Sequence, residues 1–370
     1  MRNLLIYISC FSFVNVFFAQ EDKVAPKYSN EFLQIGIGAD ALGRGNAVVA
    51  NSSGVSSGYW NPAGLISSSK FMEVGAMHSE YFAGIAKYDY LGLSKTINDP
   101  RSLADKSAIG LSLIRFAVDD IPNTTQLINA QGQIDYSKVS SFTASDFALI
   151  ASYARTLPVK GLSVGANFKI IKRKVGDFAK SWGFGLDAGA QYKMNKNWQF
   201  GAMLRDVTST FNAWTFDLDD EMREVFVKTD NVLPENGLEL TLPRLIVGAQ
   251  WKKELGKKGI YFASELDLSM TFDGKRNTLI KSKAVSIDPN LGIEMGFKNY
   301  FSIKAGIVNI QQVSDLDKNT SYTIQPNIGF GIAIKNFNLD YAFTDIGDQS
   351  VALYSHVVSL KIKLKQPKNK

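Results

Sequence analysis

The chain has 370 residues, 45% of them hydrophobic, with a formal charge of +6, an isoelectric point near 9.0 and a mean hydropathy of −0.06. After residue 19 no apolar run approaches the roughly 18 residues that a spanning helix needs, so a helical membrane protein is excluded while a barrel, whose strands hide their apolar residues by alternation, is not. The basic residues are scattered, which argues against a nucleic-acid partner.

Residues 1–19 combine Arg2, an apolar stretch from Leu4 to Phe18 and a small Ala19, the pattern of a secretory signal peptide. Its removal would take away Arg2 and no acid, leaving +5, together with Cys10, the one cysteine in the chain. A thiol-free mature protein suits an oxidising envelope and excludes disulfides, thiolate metal sites and a cysteine nucleophile. Residues 20–66 form an exported leader followed by an irregular stretch, FLQIGIGADALGRGNAVVANSSGVSSGYWNPAGL (Phe32 to Leu65), which does not alternate. Its glycines, small residues and Asn61-Pro62-Ala63-Gly64 turn describe a compact piece that must pack against something larger.

From residue 67 to 370 the period is two. Fourteen segments alternate, beginning at Phe71, Gly84, Ser107, Asp146, Leu162, Ser181, Trp198, Pro243, Gly259, Asn290, Phe301, Tyr322, Phe337 and Tyr354. Leu162 to Ile170 is the plainest, with Leu162, Val164, Ala166, Phe168 and Ile170 opposed to Ser163, Gly165, Asn167 and Lys169. Connections alternate as well: Thr156 to Gly161, Met194 to Asn197 and Lys335 to Asn336 are brief, whereas Asp119 to Ser145, Val207 to Leu242 and Leu268 to Pro289 are long. Parity of this kind predicts an all-β transmembrane barrel of about 14 antiparallel strands, which would supply the host that the irregular N-terminal segment needs. Trp182, Trp198 and Trp251 fall at strand ends, as interfacial girdles require. Asp187, Arg205, Glu265, Glu294, Lys304, Asp340 and Lys361 fall on the opposite face, which must then be wet or paired.

Sites of chemistry are sparse. Gly36 to Ala41 mimics a dinucleotide fingerprint but lacks the flanking βαβ unit. The two histidines, His78 and His356, support neither a metal site nor a triad, so no enzyme activity, metal or cofactor is expected. The acids at Asp217, Asp219, Asp220 and Glu221, and at Asp315 with Asp317, lack calcium-loop spacing and read as solvated loop charge. The loop from Val207 to Leu242 differs in kind: Phe211, Trp214 and Phe216 precede an amphipathic stretch from Asp217 to Thr229 that carries Phe226. These aromatics suit either a partner contact or a small core over the barrel mouth. Lys172, Arg173, Lys174 and Lys180, near one outer turn, suit lipid phosphates or plain solvation.

The stretch IGIGADALGRGNAVVANSSGVSSGYWNPAGL and the close LDYAFTDIGDQSVALYSHVVSLKIKL resemble the PorV/PorQ family, outer-membrane barrels related to FadL-type transporters. The resemblance implies a fourteen-stranded barrel in the outer membrane of a Gram-negative, Bacteroidetes-like bacterium, with Asn61, Pro62, Ala63 and Gly64 in the hatch. It implies a non-enzymatic role in type IX protein secretion, with the translocon or cargo C-terminal signal domains as partners alongside lipopolysaccharide and other outer-membrane lipid. A FadL-like transporter of hydrophobic small molecules is the alternative, and that reading requires an apolar pocket and a route past the hatch.

Overall fold

A computed structural model describes residues 29–364 except 68–70, 99–105, 126, 128–132, 219, 229, 231, 257, 299, 315–319 and 345–353. The expected signal peptide, Cys10, Asp219, Asp315 and Asp317 lie outside the described residues. Among the described residues seventeen strands follow the N-terminal segment. They are β1 (Met72–Tyr81), β2 (Ala86–Asn98), β3 (Lys106–Asn123), β4 (Ser140–Thr156), β5 (Leu162–Val175), β6 (Ala179–Lys193), β7 (Trp198–Arg205), β8 (Thr210–Phe216) and β9 (Gly237–Thr241). The rest are β10 (Arg244–Leu255), β11 (Ile260–Thr271), β12 (Ile280–Lys281), β13 (Ser286–Phe297), β14 (Phe301–Ser314), β15 (Thr320–Ile334), β16 (Phe337–Thr344) and β17 (Ser355–Leu364).

All pairings are antiparallel, and the sheet closes because β1 bonds to both β2 and β17. Three strands are accessory: β8 and β9 prolong β7 and β10 beyond the wall, and β12 is a two-residue spur on β13. The remaining fourteen form the barrel, and each coincides with one of the fourteen alternating segments. Closure leaves no open edge among the fourteen wall strands described, the condition for strands to cross hydrocarbon.

The barrel has an inner end, where the chain enters β1 and leaves β17, and an outer end carrying the long connections. Two outer connections are short: 82–85, where the sequence already breaks the alternation of loop length, and 176–178, where β5 and β6 run further than the alternation alone suggests. At the break between β7 and β8 the chain takes seven steps from Leu204 to Phe211 while β6 takes four, from Ala188 to Phe184. Three residues therefore bulge, and Asp206 and Ser209 accept φ of 56° and 57° there.

Alternation sorts the wall. Leu111, Phe168, Leu186, Ile303 and Phe330 are exposed on the outside, whereas Lys169, Asp187, Glu265 and Lys304 are buried on the inside. Trp182 stands at the outer rim with the Lys172 ammonium 5.3 Å from its ring, and Trp198 and Trp251 are register partners at the inner rim. An apolar exterior bounded by aromatics, around a charged interior, is the physics of a membrane barrel.

Candidate functional site

The charged interior is filled by the N-terminal segment itself. Residues 29–67 form short helical turns, among them α1 (Ala39–Leu42) and α2 (Ser57–Trp60), too short to stand alone and held by tertiary contacts. Phe32, Leu33, Ile37, Tyr59 and Trp60 make a small apolar core with inward residues of β1–β5. Tyr59 Oη donates to Leu33 O (2.7 Å) and Trp60 Nε1 to Ile37 O (2.9 Å), which folds the segment on itself.

With so few regular hydrogen bonds of its own, the segment depends on the wall for its backbone partners. Asp267 Oδ2 accepts from the amides of Val48 (2.8 Å) and Val49 (2.9 Å), and Glu265 Oε1 accepts from Ala50 (2.6 Å). Asn167 Nδ2 donates to Gly58 O (2.8 Å), and Gln191 Nε2 to Val49 O and Ser52 O. Close approach needs bare backbone on the wall: a Cβ on Gly201 would strike Val49 O, and one on Gly306 would strike the Arg44–Gly45 peptide.

Charges clamp the same segment. Lys304 Nζ lies 2.7 Å from Asp40 Oδ1 and 2.7 Å from Asp340 Oδ1. Arg44 reaches Asp40 at 2.8 Å and Glu294 at 3.7 Å. Burial alone would raise the Asp40 carboxyl, but Arg44, Lys304 and Lys361 outweigh it and hold that carboxyl well below the usual carboxylate range. In the wall, Lys169 bridges Asp187 (2.7 Å) and Asp206 (2.5 Å) beside the β7–β8 bulge.

The four turn residues all lie in this plug. Asn61 Nδ2 contacts Val49 O (2.9 Å), Ala190 O (3.0 Å) and Ala202 O (3.3 Å), while its Oδ1 accepts from Ala63 N at 3.2 Å. Pro62 passes over Gly165, whose Cβ would come within 2.6 Å of the Pro62 carbonyl carbon. Ala63 is fully buried, and Gly64 leaves room for Ser52 O.

The plug divides the interior. An outer vestibule of about 670 Å³ lies above it; below lie a polar recess of about 340 Å³ and a more apolar one of about 750 Å³ beside Leu157, Pro158 and Val159. At the outer end, on the inward-facing side of the extended strands, is an apolar groove of about 690 Å³. Three of the four aromatic loop residues line it: Trp214, Phe216 and Phe226, the last on helix α3 (Asp220–Lys228). Phe211 does not: the alternation of β8 turns it to the barrel exterior, 5.8 Å from Phe184. Phe142, near the start of β4, and Phe178, in the turn between β5 and β6, packed edge-on at 5.0 Å, complete the groove. Trp214 Nε1 donates to Glu239 at 2.5 Å, and Arg173 lies 5.0 Å over its ring.

Other singled-out residues disperse. Arg173 faces inward, bonded to Asp146 (3.0 Å), and Lys174 pairs with Asp177 (3.0 Å), so of that basic group Lys172 is the one set over an outward tryptophan. His78 meets Asp89 at 2.7 Å and His356 meets Tyr341 at 2.5 Å, both at exposed positions.

No protein-family model matches the chain, and no curated protein does. Among solved structures it is similar to the toluene transporter TodX of P. putida, at 13% identity over 90% of this chain and 99% of that one, with a TM-score of 0.55. It is likewise similar to the toluene transporter TbuX of Ralstonia pickettii (11%, 89% and 98%, 0.51) and to a FadL homologue of Pseudomonas aeruginosa (11%, 91% and 99%, 0.50). At such identities the likeness is one of fold. The protein is a closed fourteen-stranded antiparallel barrel of the FadL-like architecture.

Proposed function

We propose that this chain is a non-enzymatic barrel of a Gram-negative outer membrane that captures an apolar small molecule on its cell-surface side. The carrying observation is the groove bounded by Trp214, Phe216 and Phe226, whose surface is dominated by aromatic and aliphatic groups. That it stands on an architecture shared with two toluene transporters supports small-molecule traffic over other uses of the groove. Passage inward then requires the N-terminal segment to act as a hatch, because Lys304, Asp40, Arg44 and Glu294 occupy the lumen below the vestibule. Titration of the detergent-purified chain with toluene, read by tryptophan fluorescence, tests capture. Saturable quenching that weakens in Phe226→Ala supports it, and its absence overturns it.

The second reading is a PorV/PorQ-type role in type IX secretion, with the groove receiving part of a translocon or cargo protein. The lumen favours it, since paired charges around a plug suit a sealed barrel better than a path for hydrocarbons. Co-purification of translocon components from native membranes that is lost in Trp214→Ala supports this reading. Equal recovery with wild type and variant removes it.

A further inference from the structure

The outer vestibule is chemically unlike the apolar groove. Two arginines are direct register partners on its wall, Arg205 of β7 and Arg244 of β10, an arrangement that like charges avoid unless something compensates them. Among the described residues neither has a carboxylate oxygen within 4.0 Å. Arg244 donates to the neutral Gln34 Oε1 (2.7 Å), and Arg205 to the carbonyls of Leu33 (3.0 Å) and Tyr59 (3.3 Å). Arg205 Nε is buried with no acceptor. Two strands away, Asp288 Oδ1 is buried with no donor, and Thr271 Oγ1, in the row that joins Arg205 and Arg244, is also unsatisfied. Arg205, Arg244, Gln34, Thr271 and Asp288 line one cavity of about 670 Å³ together with Glu31 and with Arg276, which is paired to Asp273 at 2.6 Å. Trp60 lies beside Arg205, 5.8 Å from ring to guanidinium, and Tyr81 and Phe116 lie on the facing side.

Buried donors and acceptors left without partners are costly, so each calls for a water, an ion or a ligand to complete it. A cationic pair and a carboxylate two strands away complement a ligand that carries both charges. Arg244 and Asp288 are separated by two interstrand spacings and by two residues along the strand, which sets their Cα atoms about 12 Å apart. A ligand whose two charges stand at opposite ends of an extended backbone matches that spacing, and two or three residues span about 7–11 Å.

We propose that the outer vestibule binds a short zwitterionic peptide. Its carboxylate faces Arg244 and Arg205, where planar guanidinium groups match two oxygens, and its ammonium faces Asp288. Its side chains lie against Trp60, Tyr81 and Phe116. The proposal is independent of the apolar groove and goes beyond it.

The test is calorimetric titration of the full chain in detergent with the tripeptide Ala-Phe-Ala, beside its C-terminal amide and its N-acetyl form. Amidation weakens binding at least tenfold to wild type but leaves Arg244→Gln indifferent, and acetylation does the same with respect to Asp288→Asn. Retention of the heat-dependent gel shift confirms that each variant is folded. Trp214→Ala, which alters the groove, leaves peptide binding unchanged, so failure here and failure of the groove reading are told apart. Equal binding of free and capped peptides, or no binding up to about 10 mM, overturns the proposal.

Discussion

Lys304, on the barrel wall, meets Asp40, on the N-terminal segment, at 2.7 Å, and this contact ties the plug to the strands through a buried ammonium. The same Nζ also holds Asp340 of β16, so removing it takes a cation from two carboxylates at once and leaves Asp40 to Arg44. Breaking a buried pair from one side typically costs about 3 kcal/mol or more, with Asp40 discounted because a quarter of its side chain is exposed. Lys304→Met is therefore expected to lower the unfolding midpoint in detergent and raise the conductance of the reconstituted barrel. Unchanged conductance would mean that the clamp does not hold the plug.

Acid should loosen the same clamp. The Asp40 carboxyl is depressed in the folded protein by Arg44 and Lys304 against its own burial. A depressed carboxyl contributes stability that is complete above its unfolded value, near 4, and is lost as pH falls through the lower folded value. Bilayer conductance is expected to be flat from pH 7 to about 5 and to rise below about 4, with Asp40→Asn removing most of that dependence.

Asn61 is expected to matter through its amide rather than its shape. Its Nδ2 serves carbonyls of the plug, of β6 and of β7, and truncation leaves those groups unpaired inside the wall. Asn61→Ala should cost roughly 1–3 kcal/mol, read as a lower midpoint in denaturant, while Asn61→Asp, which loses the donor but keeps the size, should be no better.

Gly201→Val tests the close approach of plug and wall. A side chain there meets the Val49 carbonyl and the Ala50 backbone directly, and neither can yield as a flexible side chain would. The barrel should still assemble, because Gly201 faces inward and its strand keeps its ladder. A cysteine at Ser53 should become more reactive to a polar thiol reagent as the plug is displaced.

Much of the architecture was legible because a membrane barrel writes its two solvents into alternate residues. Phe168 beside Lys169 assigns lipid and lumen without any knowledge of the partner strand, and the fourteen segments follow from that rule. The irregular stretch from Phe32 to Leu65 also declared itself, since residues that neither alternate nor form helices need a host. Which wall residues receive it was not legible. Asp267 accepting from Val48, or Gly201 under Val49, depends on register across more than 150 residues, and neither residue type carries a local mark of that role. The groove was half visible: Trp214, Phe216 and Phe226 stood out on a long polar loop, but the bulge at Asp206 to Ser209, which shifts β8 by three residues and sets which aromatics face the groove, has no period to betray it.

The central claim is capture of an apolar molecule at the Trp214 groove of a plugged barrel. The most direct measurement is the binding and uptake of labelled toluene by outer-membrane vesicles containing the wild-type chain, Phe226→Ala or Lys304→Met. Saturable binding that falls about tenfold in Phe226→Ala, a loss of 1.4 kcal/mol, with faster uptake in Lys304→Met, is the predicted result. Equal binding and uptake in all three, indistinguishable from vesicles lacking the protein, would contradict it.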